Sequence, residues 1–423
     1  MIRYSKKLVL PFVLTVSLIL TSCGMSGNNE KAGSEKVKLE LWCDDSSLEL
    51  LQESLGEFEE LHKDEAQFEF SYGTESEISC KKTVLADIDS AADIFVFADD
   101  QFDDLYNGGA LLEITENADE VIAAVGGPET GAAKSSMRDG KLYAYPETAG
   151  NGYFLYYNSD YLSDEDVKSL DRILEVAGEN GKKFSMQIAE GWYLYSFFKG
   201  GGLDITYDNK AKKNICNWNA TDTPVKGVDV VESLLKYTTD PAFLSTTDDG
   251  FVSGVKDGSI IAGVNGPWNA EAVEGVWGDK MKATKLPEFD LKGTPAQMCS
   301  FTGYKLAGVN ARTKEPHWAM ELAKFITSKD IQLKRFKMVG DCPANVEAAS
   351  SEEVKASPAV AALAMQAKFG YTQDVGDPFW DAAALLGTSI AAGNPDNRDI
   401  QELLDTAVEE IEAPVADEEG SDQ

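Results

Sequence analysis

Apolar and polar positions alternate from Val37 to Trp42, and this period of two predicts a first β-strand, VKLELW. Ser46 followed by Glu49 has the spacing of a capping box, and Leu48, Leu51, Leu55, Phe58 and Leu61 then recur at helical spacing. Phe68 to Tyr72 reads as a second strand and Cys80 to Asp89 as a second helix. Asp93 to Ala98, DIFVFA, is a short apolar strand, as expected of a parallel sheet covered on both faces. Strand, helix, strand, helix, strand is an α/β pattern. The middle of the chain continues it. Tyr153–Tyr157 predicts a strand of aromatics, Glu165–Asn180 a helix stopped by Gly181, Phe184–Ile188 a strand, and Trp192–Phe198 a helix running into three glycines. Val228–Tyr237 predicts a helix and Ser259–Val264 a buried strand closed by Asn265-Gly266-Pro267-Trp268. Lys305–Val309 follows as a strand, then Pro316–Thr327 and Asp330–Val339 as helices. No internal repeat is visible.

The ends are different. Arg3, Lys6 and Lys7 precede an apolar run from Leu8 to Leu20, about 13 residues where a bilayer span needs roughly 20. A basic flank before a short apolar core is the pattern of an export signal, residues 1–22. The run ends Leu20-Thr21-Ser22-Cys23-Gly24, which resembles the bacterial lipobox and implies lipidation of Cys23. The alternative is a buried or bridged cysteine at the edge of an uncleaved helix. Two acyl chains on Cys23 would anchor the protein stably, where one would not. Residues 23–36 hold almost nothing apolar beyond the cysteine and predict a flexible tether, and 414–423 an acidic tail.

Removing the leader leaves about 400 residues, which favours two lobes over a single core. The formal net charge is −34, and losing the three positive charges of Arg3, Lys6 and Lys7 with the leader makes it −37. Such a surface repels nucleic acid and anionic head groups and suits an uncharged ligand. Of six cysteines, lipidation of Cys23 leaves Cys43, Cys80, Cys216, Cys299 and Cys342, an odd number that cannot all pair. Buried free thiols are the favoured reading, with one disulfide left open. No C-x-x-C spacing exists, which argues against a zinc or redox site, and no motif in the chain calls for a metal or another cofactor. His62 and His317 fall in predicted helices far apart, which makes them ordinary surface or core histidines, and no Ser/His/Asp set is evident. Gly126, Gly131 and Lys134-Ser135 have the wrong spacing for a phosphate loop.

Ligands of open α/β sheets bind beyond the carboxyl ends of strands. Three such ends carry aromatics beside carboxylates or amides. Trp42 precedes Asp44, Asp45, Ser46 and Ser47; Phe97 precedes Asp99, Asp100 and Gln101; Val264 precedes Asn265 and Trp268. A sugar needs this mixture, because its C–H faces stack on rings and its hydroxyls need planar donors and acceptors. The competing reading makes each tryptophan a packing residue.

These segments resemble the maltose/maltodextrin-binding proteins, a branch of the extracellular solute-binding proteins, from about Val37 to the helix after Trp380. DIFVFADDQFDDLYNGGALLEI resembles the segment that gives that family an aromatic and an acidic sugar contact, places held by Phe97 and Asp100, with Gln101 where an arginine is usual. GKLYAYPETAGNGYFLYYN resembles the crossover into the second lobe, with Asn151 where some members have a sugar-binding glutamate and Glu147 nearby. IAEGWYLY resembles the Glu-Pro-Tyr clamp, with Glu190 and Trp192 in the acid and aromatic places and Gly191 in place of proline. VNGPWN implies Trp268 as a stacking residue, DPFWDAA implies Trp380, and Asp44 fits a polar contact after the first strand. Phe301 and Tyr304 are weaker candidates.

The resemblance implies a periplasmic-binding-protein-like α/β fold: two lobes joined by hinge strands, with the ligand cleft between them. Residues 37–148 with 299–350 would form one lobe and 149–298 with 351–413 the other. It implies a monomeric, lipid-anchored binder on the outer face of the bacterial cell membrane. That binder would deliver maltose or malto-oligosaccharides to the permease subunits of an ABC importer. Another oligosaccharide stays open as the ligand, as do its length and linkage. A surface glycoside hydrolase using Asp100 and Glu190, and a binder of peptides or polyols, are the readings from other classes.

Overall fold

The computed structural model describes residues 35–208 and 210–414. The expected export signal, Cys23, the tether up to residue 34 and the tail from residue 415 lie outside the described residues. No helix among the described residues is long and apolar enough to cross a membrane.

The chain forms two compact units. The first holds residues 35–147, Lys305–Val339 and Ala344–Val346; the second holds Thr148–Tyr304, Gly340–Pro343 and 347–414. Residues 299–304 fall with the second unit, not with the first lobe as the sequence suggested. The strand Ser300–Thr302 pairs in parallel with Gly370–Thr372 there. Residues 347–350 likewise belong to the second unit.

In the first unit a five-stranded sheet runs in the order Ala66–Thr74, Glu35–Cys43, Ile94–Ala98, Tyr304–Val309, Ala144–Ala149. The first three strands are parallel, and Tyr304–Val309 runs against Ile94–Ala98. Helices cover it: Leu48–His62 lays Leu51, Leu55 and Phe58 on a core shared with Ala319, Leu322 and Ala323 of helix Pro316–Ile326. Full burial of a ring such as Phe58 contributes roughly 1.5–3 kcal/mol. His62 and His317 are neighbours of one residue, since both rings pack edge-on to Trp318, at 5.3 and 5.1 Å. Helical segments separated in sequence thus lie side by side.

The second unit repeats the plan. Its five-stranded sheet runs Phe243–Leu244, Lys183–Ser185, Ile260–Asn265, Phe154–Asn158, Met281–Thr284. The first three strands are parallel and Phe154–Asn158 runs against both of its neighbours. One core gathers Tyr153 and Tyr157 with Leu194, Phe197 and Phe198 of helix Gly191–Gly200 and Trp218, while the alternate residues Phe154 and Tyr156 pack in a second cluster with Phe251 and Ile260.

Candidate functional site

Three adjacent parallel strands of the second unit end on the same side, and each delivers chemistry there. Phe243–Leu244 leads to Asp248, Lys183–Ser185 leads to Glu190 and Trp192, and Ile260–Asn265 leads to Trp268. The antiparallel strand Phe154–Asn158 begins at this end, opposite Asn265, so Tyr153 joins the group. The sequence rule about strand ends works here because parallel neighbours point their carboxyl ends alike.

Trp192 and Trp268 are both half-buried, with ring centroids 5.8 Å apart and planes inclined by only 26°. Tyr153 meets Trp192 edge-on at 4.8 Å, and its hydroxyl donates to the Trp192 carbonyl at 2.7 Å. Burial pushes that phenol up, so it stays a neutral donor at ordinary pH. The Trp268 indole N–H donates to Asp248 Oδ2 at 2.7 Å. Asp248 Oδ1 accepts from the Asn265 amide at 2.9 Å and the Tyr193 hydroxyl at 3.4 Å. Asn265 Oδ1 in turn accepts from Gly266 N–H and the Asn269 amide, both at 2.8 Å, and Tyr156 donates to the Gly266 carbonyl at 2.9 Å. The turn that carries Trp268 is therefore tied at nearly every polar atom. Gly266 is required beneath it: a Cβ there would lie 2.0 Å from the Trp268 ring.

Glu190 precedes helix Gly191–Gly200 and is half-buried. Burial, with the Asp248 charge second, raises its pKa above the ordinary carboxylate value. Among the described residues no cation forms an ion pair with it. A carboxyl group raised on folding costs stability above its folded pKa, and that cost fades as pH falls toward the unfolded value. Glu190→Gln is thus expected to melt at a higher temperature than wild type at pH 7. The gap should close below about pH 4, where the glutamate is protonated in both states, as scanning calorimetry across pH would report. Gly191 stands where the resembled clamp has proline, and the reason is packing: a Cβ there would come within 2.8 Å of Ala383. Ala383 lies in helix Pro378–Ala391, which also carries Trp380. Trp380 is half-buried, 4.9 Å from Phe379 and 6.1 Å from Phe301, and Phe301 stacks on Tyr195 of the Trp192 helix at 3.8 Å. Asn151 is half-buried, and its backbone N–H bonds the Gly303 carbonyl.

In the first unit, Asp44 and Asp99–Gln101 follow adjacent parallel strands and so share an end of the sheet. Phe97 is a correction. It is 0 % exposed, packed between Phe95 and Phe102, because every position of Ile94–Ala98 is covered on both faces. It offers no ring to a ligand. Gln101 is a second correction: its amide donates to the Glu77 and Ile78 carbonyls and accepts from Lys81 N–H, fastening the loop before helix Cys80–Ala86. Asp44, not Ser46, caps the turn before helix Leu48–His62, accepting from Ser47 N–H, Ser47 Oγ and Ser46 Oγ. Burial opposes its charge, yet Lys305, the Ser46 hydrogen bonds and Arg335 together hold its pKa below the ordinary value. Lys305 is buried, pairs with Glu77 at 3.2 Å and lies opposite Ala98 in the sheet. Asp100 is half-buried in the short turn Asp99–Gln101. Glu147 is also buried, bonded to Arg335 at 2.5 Å.

The sequence singles out none of Asp248, Lys305 and Glu77 as a site residue, Lys305 being read only as the start of a strand. Asp248 lies in Thr246-Thr247-Asp248-Asp249-Gly250, which reads as an ordinary acidic helix start. The strand before it, Phe243–Leu244, is too short to register as periodic. Cys43, Cys80, Cys216, Cys299 and Cys342 are all buried free thiols. Among the described residues no group of His, Cys, Asp and Glu is arranged to hold a metal ion.

Known proteins resemble this chain in sequence and in fold. A family profile described as bacterial extracellular solute-binding protein matches residues 54–362. The galactooligosaccharide-binding protein of Bacillus subtilis (strain 168) is 26% identical over 418 residues, spanning 94% of this chain and 95% of that protein. A solved structure determined with acarbose is 29% identical, with a TM-score of 0.78 over 89% of this chain and 99% of that one. The maltodextrin-binding protein MalE1 of L. casei BL23, solved without ligand, shares the fold at 22% identity, with a TM-score of 0.73 over 89% of this chain and 99% of its own. The profile covers most of both α/β units, and the chain belongs to the family of bacterial extracellular solute-binding proteins.

Proposed function

We propose that this protein captures a neutral oligosaccharide, maltose or a malto-oligosaccharide, and hands it to the permease of an ABC importer. The observation that carries the reading is the pair of near-parallel indoles, Trp192 and Trp268, set beside Glu190 and Asp248 at the ends of three adjacent strands. Pyranose rings present apolar C–H faces to indoles, while their hydroxyls bond carboxylates and amides. Glu190 and Trp192 act as the clamp, Trp268 as the platform and Trp380 as a further ring. Asp44, Asp100 and Asn151 are proposed as additional hydrogen-bonding groups. Lipidation of Cys23 would hold a monomer at the outer face of the cell membrane.

A galacto-oligosaccharide is the second reading, favoured by the Bacillus subtilis relative that spans nearly the whole chain. Titration calorimetry against maltose, maltotriose, maltotetraose, a galacto-oligosaccharide series and a short peptide separates these. Heat with the maltodextrins alone supports the first reading, heat with the galacto series alone replaces it by the second, and heat only with peptide sinks both. Gly266→Ala is expected to weaken sugar binding about tenfold, because the new methyl group displaces the ring from its bond to Asp248. The same titration on that variant checks it.

A further inference from the structure

Asp248 sits outside the segments that resemble known sugar contacts, yet it is the hub of the site. It opens helix Asp248–Lys256, where a carboxylate suits the helix N-terminus, and Thr247 caps that helix through Gly250 N–H. From there it receives two donors of the VNGPWN segment, the Asn265 amide and the Trp268 indole, and the Tyr193 hydroxyl beside Trp192. An indole on a short turn can rotate about its side-chain bonds, and a ring free to rotate loses entropy when a ligand stacks on it. A bond of 2.7 Å to Nε1 removes that freedom before the ligand arrives.

We infer that Asp248 is a positioning residue of the binding site: it locks the plane of Trp268 against Trp192, and much of the affinity for a stacked sugar acts through that one carboxylate. The inference rests on the oligosaccharide reading. It also explains why Asn265 and Asn269 accompany the tryptophan, since both complete the same network through Asn265 Oδ1.

The test is a double-mutant cycle on the full chain with maltotriose as the probe, together with the indole N–H resonances of the ligand-free protein labelled with nitrogen-15 at tryptophan. Asp248→Ala is expected to weaken maltotriose binding about tenfold. Asp248→Asn should fall between it and wild type, because an amide offers one acceptor where two faces need one. In a Trp268→Ala background, Asp248→Ala should cost nothing further, since the two act as one unit. The Trp268 indole signal should move toward the position of a water-exposed indole in Asp248→Ala while that of Trp218 stays fixed. A loss in the Trp268→Ala background equal to that in wild type would mean a general structural role and overturn the inference. So would an unmoved Trp268 signal, whatever the ligand. A wild type that ignores maltotriose and every other oligosaccharide overturns the underlying sugar reading instead.

Discussion

Arg335→Met is expected to destabilise the protein by about 3–5 kcal/mol, the scale for removing one partner of a buried ion pair. Arg335 is 5 % exposed and Glu147 1 %, and the guanidinium reaches Glu147 Oε1 at 2.5 Å and Ser47 Oγ at 2.6 Å. Methionine keeps the length and apolar volume of the side chain, so the loss is electrostatic: a buried carboxylate is stranded without its counter-charge. Equilibrium urea unfolding of the full chain measures it. Arg335→Met combined with Glu147→Gln should recover part of the loss, because the stranded charge is then gone. Equal losses in the single and double variants would mean that packing, not charge, is what Arg335 supplies. Glu147 is the last residue of the first unit before the chain passes into the second, so the pair fixes the backbone where it leaves.

Trp268→Ala should weaken sugar binding by roughly 1–3 kcal/mol, or roughly 5–150-fold, the range for losing one stacked ring. The stability of the variant should change less than its affinity, since Trp268 is half-exposed and its removal opens no sealed cavity. Calorimetry paired with thermal unfolding distinguishes the two effects. Affinity within twofold of wild type would remove Trp268 as a platform. Loss of affinity in proportion to loss of folded protein would make it a packing residue.

Strand positions and the α/β class were legible because hydrophobic periodicity is a local property, and the buried run Ile94–Ala98 is written in five consecutive apolar residues. That same run explains the error at Phe97. A strand covered on both faces buries all its side chains, so an aromatic within it cannot also face a ligand. Trp192 and Trp268 differ because they lie past the ends of their strands, where the covering stops. Gln101 misled for another reason: its partners are backbone atoms of residues 77, 78 and 81, twenty or more positions away, and only the fold brings them near. Asp248 was invisible since nothing distinguishes it from Asp249 in the chain. What separates them is strand order, which puts Phe243–Leu244 next to Lys183–Ser185. The capping role of Asp44 was hidden by the better-known Ser-x-x-Glu spacing that begins two residues later at Ser46.

The cysteines carry one more consequence. Cys43 and Cys342 are pushed up to about 12 and Cys299 to about 11, burial being the first cause in each. Thiols held protonated inside packed cores are poor nucleophiles. Among the described residues the cores are therefore held by packing, with all five thiols free and buried. The packing of these described units then calls for no sulfur–sulfur bond, in air-exposed or in oxygen-free surroundings.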